Sequence, residues 1–160
     1  MRNLKIYLLS FFSCLLLQSC DKDDKVPDCI ATNVSMIVNG ELQTFQALGR
    51  GIDLTNDGYV LSLNLDRRNN EILLREQTFY IQLPYKKTGK NIIKNCDYHQ
   101  YVNGISLDGD LVNSDFQSDV IINRNTCFYA TFSAKLKDGN KEVIITDGKI
   151  SYTYENPFED

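Results

Sequence analysis

His99 is the single histidine of the chain, three residues after Cys96 in Cys96-Asp97-Tyr98-His99-Gln100-Tyr101. A thiol and an imidazole within reach of each other are the parts of a nucleophile pair, the base drawing off the thiol proton. Here the two are local neighbours in a polar, loop-like segment with no recognisable oxyanion donor, so an exposed loop is the expectation. Paired carboxylates are the next constellation. Asp108 with Asp110, or Asp115 with Asp119, would act as acid and base only if the fold set them across a substrate; such residues more often punctuate turns. Asp108, Asp110, Asn113, Asp115 and Asp119 also bring hard oxygen ligands of the calcium type within twelve residues. Their spacing does not match the EF-hand loop, and neither does Asp53-Leu54-Thr55-Asn56-Asp57-Gly58. A zinc site would need ligands that one histidine and these cysteine spacings do not offer. Tyr98, Tyr101, Tyr129, Tyr152 and Tyr154 offer flat faces for stacking on sugars, against the plainer alternative that alternating tyrosines are sheet surface. The expectation is a chain with no catalytic residue, no metal and no cofactor.

The elements that must position these residues read as strands. Asn39-Gly40 separates the apolar-rich runs 35–38 and 41–45, and both residues accept the positive φ of a tight hairpin. Tyr59, Leu61, Leu63 and Leu65 alternate with Val60, Ser62, Asn64 and Asp66, the period of a half-buried strand. Residues 77–83 form another strand, stopped by Pro84, and 120–123 a short one. Phe128, Ala130, Phe132, Ala134 and Leu136 point one way, with Tyr129, Thr131, Ser133 and Lys135 on the other face. Asp138-Gly139-Asn140 turns the chain, 142–146 returns it, and Asp147-Gly148 leads into 150–154. Only 67–76 has a helical pattern, with Ile72, Leu73 and Glu76 on one face. Many short strands at this spacing predict an all-β fold: one antiparallel β-sandwich or barrel-like domain over residues 34–156.

The first twenty residues are of another kind. Arg2 and Lys5 precede an apolar run over 6–17, about twelve residues, too short to cross a ~30 Å hydrocarbon core as a helix. Residues 1–19 therefore read as a secretory signal peptide. Leu17-Gln18-Ser19-Cys20 is similar to a lipobox: a branched apolar residue at −3, a small one at −1 and the obligatory cysteine, with Gln18 departing from the usual small or apolar residue at −2. A lipobox implies that the Cys20 thiol takes a diacylglycerol and, after cleavage, that its amine takes a further chain. Each buried methylene contributes ~0.8 kcal/mol, so two or more chains hold a protein on a membrane without spanning it. Residues 20–33 then form the acylated N-terminus and a charged tether containing Pro27.

Loss of the leader leaves 141 residues, enough for one domain with a core. Arg2 and Lys5 leave with it, taking the net charge from −4 to −6, and no basic patch remains for nucleic acid. Nine Tyr and eight Phe against three Pro argue against a disordered chain. No repeat of solenoid or propeller period occurs. With Cys14 removed and Cys20 acylated, Cys29, Cys96 and Cys127 remain, an odd count that permits one disulfide and one leftover thiol in an oxidising compartment. Cys96 and Cys127 lie inside the folded region and Cys29 in the tether. Cys96–Cys127 is the expected pair, contributing roughly 3.5 kcal/mol in the chain-entropy view; reduced, buried cysteines are the alternative.

Cys20-Asp21-Lys22-Asp23-Asp24-Lys25 resembles the lipoprotein export signal of Bacteroidota, a lysine followed by two acidic residues close behind the acylated cysteine. That resemblance implies delivery to the outer face of the outer membrane, with Lys22, Asp23 and Asp24 as a receptor-read address; a solvated charged linker is the plainer alternative. The order Val38-Asn39-Gly40, Gln77-Thr78-Phe79-Tyr80, Ala130-Thr131-Phe132-Ser133-Ala134 and Ile144-Ile145-Thr146-Asp147-Gly148-Lys149-Ile150 also resembles small Bacteroidota lipoproteins of uncharacterised all-β domain families. Ala130 stands where a glycine is common and Ile150 where Phe is common. The resemblance covers most of 34–154 and brings no established activity, so no functional residue carries over. The expected role is a non-catalytic binding or accessory module, its partner a glycan or a protein. A structural or protein-interaction lipoprotein of the envelope is the alternative, and a carboxylate-dependent hydrolase comes third.

Overall fold

Asn39 and Gly40 both adopt positive φ, 50° and 85°, and close a tight turn between β1 (Asn33–Val38) and β2 (Glu41–Thr55). Asn39 also reaches a third strand: its N–H donates to the Ile144 carbonyl at 2.8 Å, and its side-chain Oδ1 accepts from the Ile144 N–H at 2.8 Å. The hairpin is thereby pinned to its neighbour. A computed structural model describes residues 28–68, 75–102, 105–110 and 115–159, and among these all regular structure is strand. The remaining elements are β3 (Gly58–Arg68), β4 (Arg75–Pro84), β5 (Gly89–Lys90), β6 (Asn95–Val102), β7 (Ile105–Asp110), β8 (Gln117–Asn123), β9 (Cys127–Asp138) and β10 (Lys141–Thr153).

These strands form one sheet in the order β5-β8-β9-β10-β1-β2-β3-β4-β6-β7, every neighbour antiparallel. The all-β expectation holds, and of its two forms the chain takes the barrel-like one: a single sheet curled into a half-barrel. β2 supplies much of the curl. Its Glu41–Phe45 stretch pairs with β1, whereas from Gln46 it pairs with β3, and the register shifts between Ala47 and Gly49. A bulge of this kind bends a strand and raises its twist. At the open seam β7 meets β9, and a Cβ added to Gly109 would lie 2.6 Å from a methyl of Leu136. Lys141 Nζ donates across to the Ser106 carbonyl at 2.7 Å.

Alternating residues give the sheet its apolar inner face. Leu61, Leu63 and Leu65 of β3 are fully buried, as are Phe79, Ile81 and Leu83 of β4. Phe79 lies at the centre, with ring centroids 5.2 Å from Phe45, 4.7 Å from Tyr98 and 6.2 Å from Phe132. Such tilted and edge-on contacts each contribute about 0.5–1.5 kcal/mol beyond area burial. Phe132 faces inward and Thr131 outward, as the alternation in β9 requires.

β10 departs from the expected pair of strands joined by a turn. It is one strand, and Asp147-Gly148 forms a bulge at which the register shifts between Ile145 and Gly148, with Asp147 at φ 50°. A Cβ on Gly148 would lie 2.7 Å from the Phe132 ring and 2.7 Å from the Phe132 carbonyl oxygen. Backbone cannot give way as a flexible side chain can. Gly148→Ala is therefore expected to cost about 1–3 kcal/mol. Gly49→Ala, where nothing lies within 4 Å, should cost far less. Urea unfolding of the two variants makes the comparison; equal midpoints would remove the close approach.

Four further expectations are corrected. Cys127 bonds to Cys29 and not to Cys96, which is a buried thiol outside the disulfide. Cys29 belongs to the folded body: Ser151 Oγ donates to the carbonyls of Ile30 and Ala31, at 3.0 and 2.8 Å, and Thr153 Oγ1 to Ile30 at 2.7 Å. Of the segment expected as a tether, 20–33, the part from Cys29 on is therefore packed on the fold, and residues 20–27 lie outside the described residues. The domain also runs past residue 156, because Phe158 packs edge-on against Tyr85 and Tyr154 and its N–H donates to the Asn125 carbonyl. Finally, the segment expected to be helical carries strand at both ends, in Arg67 and Arg68 of β3 and Arg75 and Glu76 of β4; its middle, 69–74, lies outside the described residues.

Candidate functional site

Inward columns that are apolar through the middle of the half-barrel turn polar at one end. Gln43 is two residues before Phe45 in β2, Arg67 two after Leu65 in β3, Gln77 two before Phe79 in β4, and Gln100 two after Tyr98 in β6. Because side chains two apart on a strand share a face and neighbouring strands are antiparallel, Arg67, Gln77 and Gln100 fall in one layer beyond the Phe79 layer, and Gln43 joins them from the stretch of β2 that pairs with β1. The pairings Gln77 with Arg67 and Gln77 with Gln100 fix that register. With Val38, Asn39 and Glu41 they line a cavity of about 220 Å3.

A directed chain of hydrogen bonds organises the layer. Arg67 Nη1 donates to Gln77 Oε1 at 3.0 Å, Gln77 Nε2 donates to the Tyr98 hydroxyl at 3.2 Å, and that hydroxyl donates to Gln100 Oε1 at 2.5 Å. Burial pushes the Tyr98 phenol up to about 12, against the lowering effect of the Gln77 hydrogen bond and the Arg67 charge, so it stays a neutral donor at physiological pH. Gln43 is the exception. It is 7 % exposed, and its Oε1 is buried with no hydrogen-bond partner among the described residues. A buried acceptor left unpaired costs about 1–3 kcal/mol, so its retention on an inner face asks for a reason.

The groups singled out in the sequence fall elsewhere. Cys96 and His99 occupy β6, not an exposed loop. Three positions apart on a strand, they point to opposite faces: Cys96 lies in the core and His99 on the outer side. The nucleophile pair is thereby split. His99 Nδ1 instead meets Asp108 Oδ1 across the β6–β7 ladder, and Ser106 Oγ donates to Asp108 Oδ2 at 2.7 Å. The His99 contact holds the exposed Asp108 carboxyl below the usual carboxylate range, with Ser106 adding to it. Asp108 is thus committed to β6, while the Asp110 side chain and Asn113 lie outside the described residues. Asp119 borders an outer groove of about 370 Å3 beside the β10 bulge, and Asp115 is exposed ahead of β8. Among the described residues no three His, Cys, Asp or Glu side chains gather to hold a metal. In Asp53–Gly58 only Asn56 and Asp57 form a turn, joining the end of β2 to the start of β3, and Thr55 Oγ1 donates to the Gly58 carbonyl at 2.8 Å and accepts from the Asp57 N–H at 3.3 Å.

The five tyrosines do not share a face. Tyr98 is internal, Tyr101 is exposed on the outer side of β6, Tyr129 is half-buried on the outer side of β9, and Tyr152 and Tyr154 stack edge-on at 5.1 Å near the C-terminal end. A groove of about 590 Å3 runs beside Tyr152 and Arg50. There the Arg50 guanidinium is already engaged, stacked 4.3 Å from the Tyr154 ring and 4.1 Å from that of Phe158, and donating to the Asn156 carbonyl. That arrangement fastens the C-terminal segment to β2. Burial raises the Tyr154 phenol, with the Arg50 charge opposing.

Sequence reasoning missed the polar layer. The signal was a polar residue at inward parity two places beyond the last buried apolar one, repeated in four strands. Cys20, Lys22, Asp23 and Asp24 lie outside the described residues. No family model, no curated protein and no solved structure matches the chain.

Proposed function

We propose that the chain is a membrane-anchored lipoprotein, held by acyl groups on Cys20 and displayed at the outer face of an outer membrane, where its half-barrel binds a ligand without chemical conversion. The observation that carries the binding role is the polar layer inside an otherwise apolar half-barrel, with its unpaired, buried Gln43 acceptor. The Cys29–Cys127 bridge supports the address, since such bonds persist in oxidising compartments.

Cys20→Ala is expected to abolish fatty-acid labelling and release the protein from the membrane fraction, whereas Cys14→Ala should do neither. Undiminished label in the Cys20 variant would remove the anchor. Replacing Lys22, Asp23 and Asp24 with alanine should leave the chain lipidated but out of reach of protease added to intact cells. The binding role is tested by thermal-shift screening of the lipidated chain against saccharides, small metabolites and peptides. A ligand that binds the native state raises the unfolding midpoint, and a screen without any such compound would overturn the binding role.

A second role, contact through a strand edge, has one observation in its favour. β2 leaves β1 after Phe45, so Gln46–Thr55 pairs only with β3, and Leu48 and Leu54 are exposed along it. Against it, the sheet's two end strands are the two-residue β5 and a β7 that carries the charged Asp108, devices that blunt edge pairing.

A further inference from the structure

We infer that the polar cavity lined by Gln43, Arg67, Gln77 and Gln100 is a binding site for a neutral polyhydroxylated ligand, a single sugar ring at the end of a glycan. The inference rests on the binding role proposed above and names its ligand class.

Four properties of the cavity select that class. Gln43 Oε1 is a buried acceptor without a donor among the described residues, so an occupant must bring an O–H or N–H to it. Gln100 has its Oε1 engaged by Tyr98, which leaves its Nε2 as a donor, and Arg67 uses Nη1 on Gln77 with further N–H groups remaining. An occupant must therefore donate at one point and accept at others a few ångströms away, which adjacent hydroxyls do because each is donor and acceptor together. The charges of Arg67 and Glu41 offset each other and no lysine among the described residues lines the cavity, which disfavours a phosphate or polyanion. At about 220 Å3 the space lies below the ~300–1,000 Å3 of sites for drug-sized molecules and suits one ring.

The layer is also rigid before any ligand arrives. The Arg67–Gln77–Tyr98–Gln100 chain holds three of the four side chains in fixed orientation, and the neutral Tyr98 hydroxyl cannot reverse it by losing its proton near pH 7. Preorganised donors lower the ordering cost of binding. Of the four, only Gln43 has a buried oxygen without a hydrogen-bond partner among the described residues, and that is the group a ligand hydroxyl would satisfy.

The test uses the lipidated chain in micelles of a detergent without a sugar headgroup. D-glucose, D-galactose, D-mannose, L-fucose and N-acetyl-D-glucosamine are probed one at a time by saturation-transfer difference NMR. At least one should show transfer, with an affinity that changes little between low and high salt. Gln43→Met keeps the side chain's length and removes its hydrogen-bonding groups. It should weaken that sugar by about tenfold or more, while raising the urea midpoint of the free protein because an orphaned acceptor has gone. Gln100→Met should weaken binding as well. Leu42→Ser, on the exposed face of the same strand, should leave it unchanged. Absence of transfer from all five sugars overturns the inference, and so does binding indifferent to both glutamine substitutions. A screen that yields only acidic compounds, with affinity falling steeply in salt, also overturns it by making Arg67 the anchor of an anion site. In the last two cases the chain still binds a ligand, so the binding role survives the loss of this site; it falls only if the wider thermal-shift screen is empty.

Discussion

Phe79→Ala is expected to lower the free energy of unfolding by about 3–5 kcal/mol, a large share of the ~5–15 kcal/mol that holds a domain together. Phe79 has no exposed surface and touches the rings of Phe45, Tyr98 and Phe132, which come from three other strands. Its removal opens a void in the centre of the core, and side chains held on three other strands can close it only in part. Thr78, its neighbour in β4, points outward and pairs in register with His99. Thr78→Ala should cost about 1 kcal/mol or less. Urea melts followed by near-ultraviolet circular dichroism compare the two directly. Equal losses would mean that the inner and outer faces of β4 are exchanged. Since Gln77 shares the Phe79 face, the same result would move the polar layer outside.

The second large effect belongs to the bridge. Cys29 and Cys127 are separated by 98 positions, and closing a loop of about 100 residues restricts the unfolded chain by as much as ~4.7 kcal/mol in the chain-entropy view. Cys29→Ser should therefore lose about 2–5 kcal/mol, and reductant should bring the wild-type chain down to the same midpoint. Cys96→Ala should retain the reductant-sensitive increment, because Cys96 is a core thiol that takes no part in the disulfide. A non-reducing peptide map should join the Cys29 and Cys127 peptides and release Cys96 to alkylation only on unfolding. If Cys96→Ala were the variant that lost the increment, the pairing would be Cys96–Cys127 and the N-terminal segment would be unfastened.

What could be read in advance followed from local constraint. Asn39-Gly40 declared its hairpin because few residue pairs tolerate successive positive φ, and Phe128 to Leu136 declared its faces by strict alternation. β6 was missed because Asp97, His99 and Gln100 look like loop residues, although Cys96 and Tyr98 stand at inward parity. Asp147-Gly148 has turn chemistry, but it bends a strand here because Phe132 needs the space that a side chain would fill. The bridge was misassigned because Cys29 lies in a charged, proline-containing stretch, and only tertiary hydrogen bonds from Ser151 and Thr153 show that the stretch is packed. The polar layer was invisible for a related reason. A glutamine in an alternating run reads as solvent-facing, and its inward direction appears only once the neighbouring strands fix the register.

The bridge also determines how the domain bears a load. Tension arriving along the N-terminal segment meets the fold at Cys29 and crosses a covalent bond to Cys127, at the head of β9. Without that bond the pull would fall on the Ser151 and Thr153 hydrogen bonds to Ile30 and Ala31, and then peel β1 from β2 and β10 one hydrogen bond after another. With it, residues 30–126 hang as a closed loop beside the line of force. Gln43, Arg67, Gln77 and Gln100 all lie within that loop, so drag on the front end of the chain passes the cavity-forming strands instead of running through them.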